Sequence, residues 1–337
     1  MKKYKIFIGL AVALSTVTGC MKNSDIDHPD FDHQSVYFAY QYPVRTIVLG
    51  EDLFIDNSLD NEHKFEVKAT LGGTRENKND VAINFNIDGS LLANLHFSGN
   101  GGKIQMLPSN YYSLASNQII IPKRNILGGV QVQLTDAFFE DPLAIKNTYV
   151  LPLKMESVQN ADSILERKDF VLYAIKFVNQ WHGYYLRRGV DVMTNGTATR
   201  NVSRHARYVE NDEVNMLSTN SFTQIDFPVV FKDQGDNFSC TLLLSFDNAG
   251  KCTISSSPNS PLFTATGTGS FVKKGDKKSW GDTDRDALYL DYQVSYAGVT
   301  VGSGTSTRVI SGNIATKDTL VMRDRAVKHE LFTPVIQ

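Results

Sequence analysis

The sequence predicts an all-β chain: an N-terminal immunoglobulin-like β-sandwich followed by a C-terminal antiparallel β-barrel of lipocalin-like type, or by a second sandwich. Three observations carry this. Short apolar runs, several with a period of two, recur from residue 36 to the end. Paired glycines at 72–73, 101–102 and 128–129 punctuate them. No segment keeps a convincing run of apolar residues at helical spacing. The 337 residues are 42% hydrophobic and 21% charged, a globular balance that suits about two domains of roughly 100–200 residues. The net charge of −2 offers no electrostatic footprint for nucleic acid.

The chain opens MKKYKIFIGLAVALSTVTGC. Lys2, Lys3 and Lys5 precede a mostly apolar stretch at 6–17, too short for the ~20 residues that span a bilayer. Val17, Thr18 and Gly19 then lead to Cys20. Small residues before a cysteine resemble the bacterial lipobox, in which cleavage frees the cysteine and its thiol takes a diacylglycerol. The plain alternative is an ordinary signal peptide with a chance cysteine. We read residues 1–19 as a lipoprotein signal peptide and Cys20 as the lipidation site. Cleavage removes three lysines and moves the net charge from −2 to −5. Residues 20–33 form an acidic tether with Asp25, Asp27, Asp30 and Asp32. Its composition suits a solvated linker. It also resembles the signal that sends lipoproteins of the Bacteroidetes to the outer leaflet. The expected location is the outer membrane, lipid-anchored and surface-exposed.

Residues 34–179 form the predicted sandwich. Its strands are expected at 36–42, 46–49, 64–71, 81–87, 119–121, 130–134, 149–153 and 170–177. In the third, Phe65, Val67 and Ala69 alternate with Glu66, Lys68 and Thr70, as in a sheet with one wet face. Residues 90–95 and 136–145 read as short helices or loops. Pro152 inside a strand pattern implies an edge or a bulge. A second series fills 180–337, with strands at 184–186, 222–227, 229–231, 238–246, 253–254, 263–272, 287–297, 306–314 and 319–322. Trp181 is expected in the core as an aromatic plug at the closed end of the barrel.

Cys240 and Cys252 are the only cysteines besides Met-flanked Cys20. Residues 247–251 read as a hairpin loop with Gly250 in the left-handed conformation. This sets Cys252 opposite Phe246 and Cys240 opposite Pro258. The two thiols then lie roughly 20 Å apart at ~3.3 Å per residue, so both are expected free and buried.

Several phrases carry a resemblance. In the first domain they begin at Val36, Thr70, Leu107, Ile119, Leu134 and Lys146. Together they resemble the domain-of-unknown-function family 1735, an N-terminal sandwich of Bacteroidetes surface lipoproteins. In the second, the phrases at 181–189, 277–281, 286–292 and 320–325 look like family 5627, a frequent partner of the first. The resemblance implies a surface lipoprotein from a polysaccharide-utilisation or adhesion locus, beside a SusC/SusD-like outer-membrane complex. It supplies no catalytic residues.

The residues themselves give little sign of an enzyme. The seven histidines show no metal-ligand spacing and no HExxH, and there is no nucleophile elbow, phosphate loop or dinucleotide fingerprint. Asp282, Asp284 and Asp286 imitate the start of a calcium loop, but Ala287 and Gln293 stand where an EF-hand needs glycine and glutamate. They read instead as an acidic hairpin loop held by Arg285 and Lys277. No cofactor and no metal are expected. Sugar receptors pair an exposed aromatic platform with polar side chains at the rim. Trp280, with Asp282 and Arg285 beside it in a polar loop, is the candidate glycan site; the alternative is that its ring covers a barrel end. The expected role is glycan binding as an accessory to polysaccharide uptake. Adhesion to a protein partner and carriage of a small apolar ligand are the rival readings.

Overall fold

The computed structural model describes residues 33–337 apart from 74, 100 and 234. The expectations for residues 1–32, Cys20 included, fall outside the described residues. The first domain contains β1 (Ser35–Tyr37), β2 (Pro43–Val48), β3 (Lys64–Gly72), β4 (Val81–Ile87), β5 (Leu95–Phe97) and β6 (Gln105–Met106). It continues with β7 (Tyr112–Leu114), β8 (Gln118–Ile121), β9 (Leu127–Leu134), β10 (Tyr149–Gln159), β11 (Ser163–Ile164) and β12 (Phe170–Val178). One layer runs β11-β1-β3-β9, with β7 on β9; the other runs β8-β4-β10-β12-β2. Among the described residues, a single ladder pair, Ile120–Gly129, ties the layers along their shared edge.

Alternation builds this sandwich. Phe65, Val67, Ala69 and Leu71 of β3 point inward and meet Phe38, Ile83, Ile119, Leu151 and Phe177 in one core. The two ambiguous patches are helical turns, Gly89–Leu92 and then Asp136–Glu140 with Pro142–Ile145. Phe138 and Phe139 bury under the sheet from the second. Pro152 sits in the break between two ladders on one side of β10, after the pairing with β6 at Tyr149 and Val150 and before the pairing with β4 from Leu153, where its carbonyl accepts the Asp88 N–H. A bulge follows between Met155 and Ser157.

The second domain contains β13 (Gly183–Asn195), β14 (Ala198–Arg204), β15 (Glu213–Thr219), β16 (Gln224–Asp233) and β17 (Asp236–Phe246). It continues with β18 (Lys251–Ser256), β19 (Phe263–Trp280), β20 (Thr283–Val301) and β21 (Arg308–Asp324). Neighbours pair antiparallel from β15 through β21, and β13 pairs with both β15 and β21. The sheet therefore closes on itself as a ring of eight strands, which decides between the barrel and a second sandwich. β14 lies on the far half of β13. Trp181 is buried and stacks on Phe246 at 3.9 Å between ring centroids. Phe246 pairs with Cys252, and both cysteines are free and buried.

Polar side chains occupy part of the interior. Asp318 accepts hydrogen bonds from Arg187 Nε (2.9 Å), Arg204 Nη2 (2.7 Å) and the Tyr292 hydroxyl (2.8 Å). Arg204 also forks onto Asp191 at 2.7 and 2.8 Å, and Thr316 donates to the same carboxylate. The guanidinium of Arg187 lies over Phe227, 5.4 Å from its centroid.

The domains share a packed seam. Arg325 is buried and donates to the carbonyls of His182 (2.8 Å), Asn179 (2.6 Å) and Glu51 (3.2 Å). Phe222 of the barrel side packs on Phe139 and Phe177 of the sandwich. After β21 the chain turns back. β22 (Glu330–Leu331) pairs with β2, and β23 (Pro334–Ile336) pairs with β5. Phe332 buries among Leu92, Phe97, Ile104 and Leu172. Residues 330–336 thus complete the sandwich, although the sequence places all of 180–337 with the barrel. Their apolar residues match either domain, and only the pairing assigns them.

Candidate functional site

The predicted trio lies on an irregular hairpin. Residues 273–286 read as a loop, yet β19 and β20 stay paired through Asp276 with Arg285 and Trp280 with Thr283. Gly281 (φ 65°) and Asp282 (φ 50°) form the turn, both in the left-handed region that a two-residue hairpin turn requires. Trp280 packs beside Leu186, Val209 and Val321. The Arg285 guanidinium lies 4.0 Å from its ring centroid and donates to the carbonyls of Met322 (3.2 Å) and Arg323 (3.0 Å). Leu186 and Val321 sit on outward positions, so the ring covers the outer wall of the barrel rather than its end. Trp280 and Arg285 come together as a stacked clasp with one ring face occupied. Asp282 stands apart at the tip, paired with Lys278 at 3.2 Å. Asp284 pairs with Lys277, and Asp286 accepts the Lys274 N–H. The three carboxylates therefore diverge. Among the described residues no group of three or more histidine, cysteine or acidic side chains could hold a metal ion.

The better-formed hollow is a cleft of about 490 Å3 in the first domain, within the size range of small-ligand sites. Six stretches of chain build it. β2 supplies Arg45, and β3 supplies Glu66, Lys68 and Thr70 on its wet face. The loop before the helix Ser58–Asn61 supplies Asp52, Ile55 and Asp56. Leu127 and Tyr173 line the sides, and Val327, Lys328 and His329 of the returning tail close it. Tyr173 is held against Phe65 in a stacked pair (5.7 Å). Tyr40 is 55% exposed and stands 5.4 Å from the His329 ring. The cleft thus offers two aromatic rings, one rigid and one open to solvent.

Its polar groups are preset. Arg45 donates to buried Asp60, whose other oxygen accepts the Val48 N–H at 2.9 Å. Burial pushes the Asp60 carboxyl up, and the Arg45 charge opposes that shift. The loop is pinned by Asn57, which donates to the carbonyls of Val48 and Gly50 (2.7 and 2.6 Å). Asp56 accepts both the backbone and hydroxyl bonds of Ser58, which lower its carboxyl pKa. Glu66 and Lys68 pair at 3.3 Å along one strand. Such a surface can stack one ring of a ligand while hydrogen-bonding groups around its edge. Sequence reasoning missed it because no local motif exists. Tyr40 and Tyr173 fall in ordinary strand patterns, and the walls are separated by up to nearly 300 residues of chain.

Comparison with known proteins places the chain in context. The domain of unknown function 5627 matches residues 180–326. A second family, described as an N-terminal domain, matches residues 31–162. A crystal structure of a protein of unknown function from Bacteroides ovatus is 44% identical over 91% of this chain and all of its own, with a TM-score of 0.81. A multidomain Bacteroides ovatus protein including DUF1735 is 12% identical, covering 90% of this chain and 96% of its own, with a TM-score of 0.40. An auxiliary nutrient binding protein from Bacteroides thetaiotaomicron is 15% identical, covering 83% and 90%, also at 0.40. Among curated proteins nothing matches.

Proposed function

Since the chain belongs to the same family as the Bacteroides ovatus protein of unknown function and carries a 5627 domain behind its N-terminal sandwich, we propose that it is a non-enzymatic, lipid-anchored surface protein that binds a saccharide. Cys20 is the anchor, the outer membrane is the location, and a SusC/SusD-like complex is the partner that would receive the sugar. The cleft carries the binding reading. The exposed ring of Tyr40 offers a platform for the apolar face of a sugar, and Arg45, Asp52, Glu66 and Lys68 supply donors and acceptors for its hydroxyls. A lipocalin-like carrier fits less well, because large rings and the Asp318 ion network occupy the barrel interior.

A glycan array on the chain from Asp25 onward identifies the ligand, and calorimetric titration measures it. Tyr40→Ala is expected to weaken binding by about 2 kcal/mol, some thirtyfold. Leu127→Arg, which fills the cleft, should abolish it. Native affinity in both variants would remove the cleft from the site. Metabolic labelling with an alkyne fatty acid should tag the native protein and not Cys20→Ala; equal labelling would refute the anchor.

A further inference from the structure

We infer that the cleft is one end of a continuous groove that crosses both domains and holds a polysaccharide chain lengthwise; this rests on the saccharide reading above and extends it. Four hollows join through shared walls. The cleft shares Asp52, Ile55, Asp56 and Asn57 with a hollow of about 390 Å3. That hollow shares Gly50, Asn61 and Lys273 with a third, of about 270 Å3, on the domain seam. The third meets, at Phe246 and Asp247, a trough of about 850 Å3 on the outer wall of the barrel.

Beneath the trough, Gly267 and Gly269 occupy inward positions of β19, where a Cβ would strike their β20 partners Tyr292 or Leu290, so the two strands pack closely there. Two rows of side chains flank the trough. Thr253, Thr268 and Asp291 form one cross-strand row; Lys251, Ser270 and Tyr289 form the next. The rows stand about 7 Å apart, and the trough crosses β17 to β21, roughly 19 Å at ~4.8 Å per strand.

The chemistry selects the occupant. Hydroxyls both donate and accept, as sugar hydroxyls do. Tyr289 leaves 39% of its surface exposed for stacking. Asp291 is paired with Lys317 at 3.3 Å, so this carboxylate is already neutralised where a polymer would lie. A peptide cannot add here as a strand, because the trough is a sheet face whose ladder bonds are made, not an edge. The seam held by Arg325 and Phe222 fixes both halves of the groove before binding, which removes an ordering cost. A small sugar would use the cleft alone, and a polymer would use the whole length.

The test is calorimetry and affinity gel electrophoresis of the full chain. The probes are yeast mannan, xylan, laminarin and amylopectin, with mannobiose, xylobiose, laminaribiose and maltose. One polymer should bind at least about tenfold more tightly than its own disaccharide. Thr268→Arg, which blocks the trough, and Tyr289→Ala should each bring polymer affinity near the disaccharide's and leave disaccharide binding unchanged. Polymer binding unaltered in both variants would overturn the groove. If Tyr40→Ala still weakened disaccharide binding about thirtyfold in that case, the cleft would stand without it. No binding of any probe by the native protein would overturn both.

Discussion

Replacing Asp318 by asparagine is expected to cost the protein a large share of its stability. The change conserves volume, so the loss is electrostatic. Asp318 is fully shielded from solvent and accepts three bonds, two of them from the guanidinium groups of Arg187 and Arg204. In its place an amide would turn donors toward donors. Arg204 would keep Asp191, but Arg187 would be left with Glu213, which lies 3.6 Å away and is partly exposed. Removing one partner of a buried ion pair costs about 3–5 kcal/mol. For a chain of this size that lowers Tm by roughly 10 °C. The assay is urea unfolding of native and Asp318→Asn protein with thermal melts alongside. The paired control is a fourfold change of Asp318, Asp191, Arg187 and Arg204 to leucine and methionine, which removes the buried charges together and should recover most of the loss. A cost below about 1 kcal/mol for Asp318→Asn would refute the assignment of this cluster as a coupled network.

Two further outcomes follow from buried titratable groups. His182 accepts the Thr219 N–H as a neutral ring, and burial, with the charges of Arg325 and Lys176, pushes its pKa down from 6.5 to about 4. The unfolded chain takes up this proton first, so the contribution is complete above pH 6.5 and is lost as pH falls from 6.5 to 4. The loss is at most about 3 kcal/mol; melts across this range should show it in native protein and not in His182→Gln, and matching acid slopes would count against it. Burial raises the thiols of Cys240 and Cys252 to about 12. A thiol reagent at mildly alkaline pH should therefore label neither until denaturant is added, and rapid labelling of the folded protein would contradict the register that buries them.

The sandwich was legible in the sequence because its strands alternate cleanly, as β3 does with Phe65, Val67 and Ala69 inward. The barrel was harder, and the reason is physical. β21 reads as two strands broken at 315–318, because its inward positions there are Thr316 and Asp318 rather than apolar residues. β13 shortens to 184–186 for the same reason, since Arg187 and Asp191 face the interior. A buried ion network erases the period-two signal of the strands that carry it. β14 left no signal, being mostly exposed along its length. The hairpin at 273–286 reads as a loop because lysines and aspartates dominate both of its strands. Trp280 looked free in that loop, and only the fold brings Arg285 onto its ring. The cleft was invisible for another reason: its parts meet across the sheet and from the returning tail, and no window of sequence contains them together.

The course of the tail changes what counts as a domain here. Because β22 and β23 finish the sandwich, the barrel is an insertion within the sandwich, not an appendage to it. The first domain leaves the ribosome before the barrel but lacks two of its strands until residues 330–336 are made. Leu92, Phe97, Ile104 and Leu172 wait without Phe332 through the whole synthesis of the barrel. Cutting the chain at 179 would leave that apolar surface bare. Excising 181–325 and joining the flanks, which Arg325 already holds near Asn179, respects the architecture the chain uses.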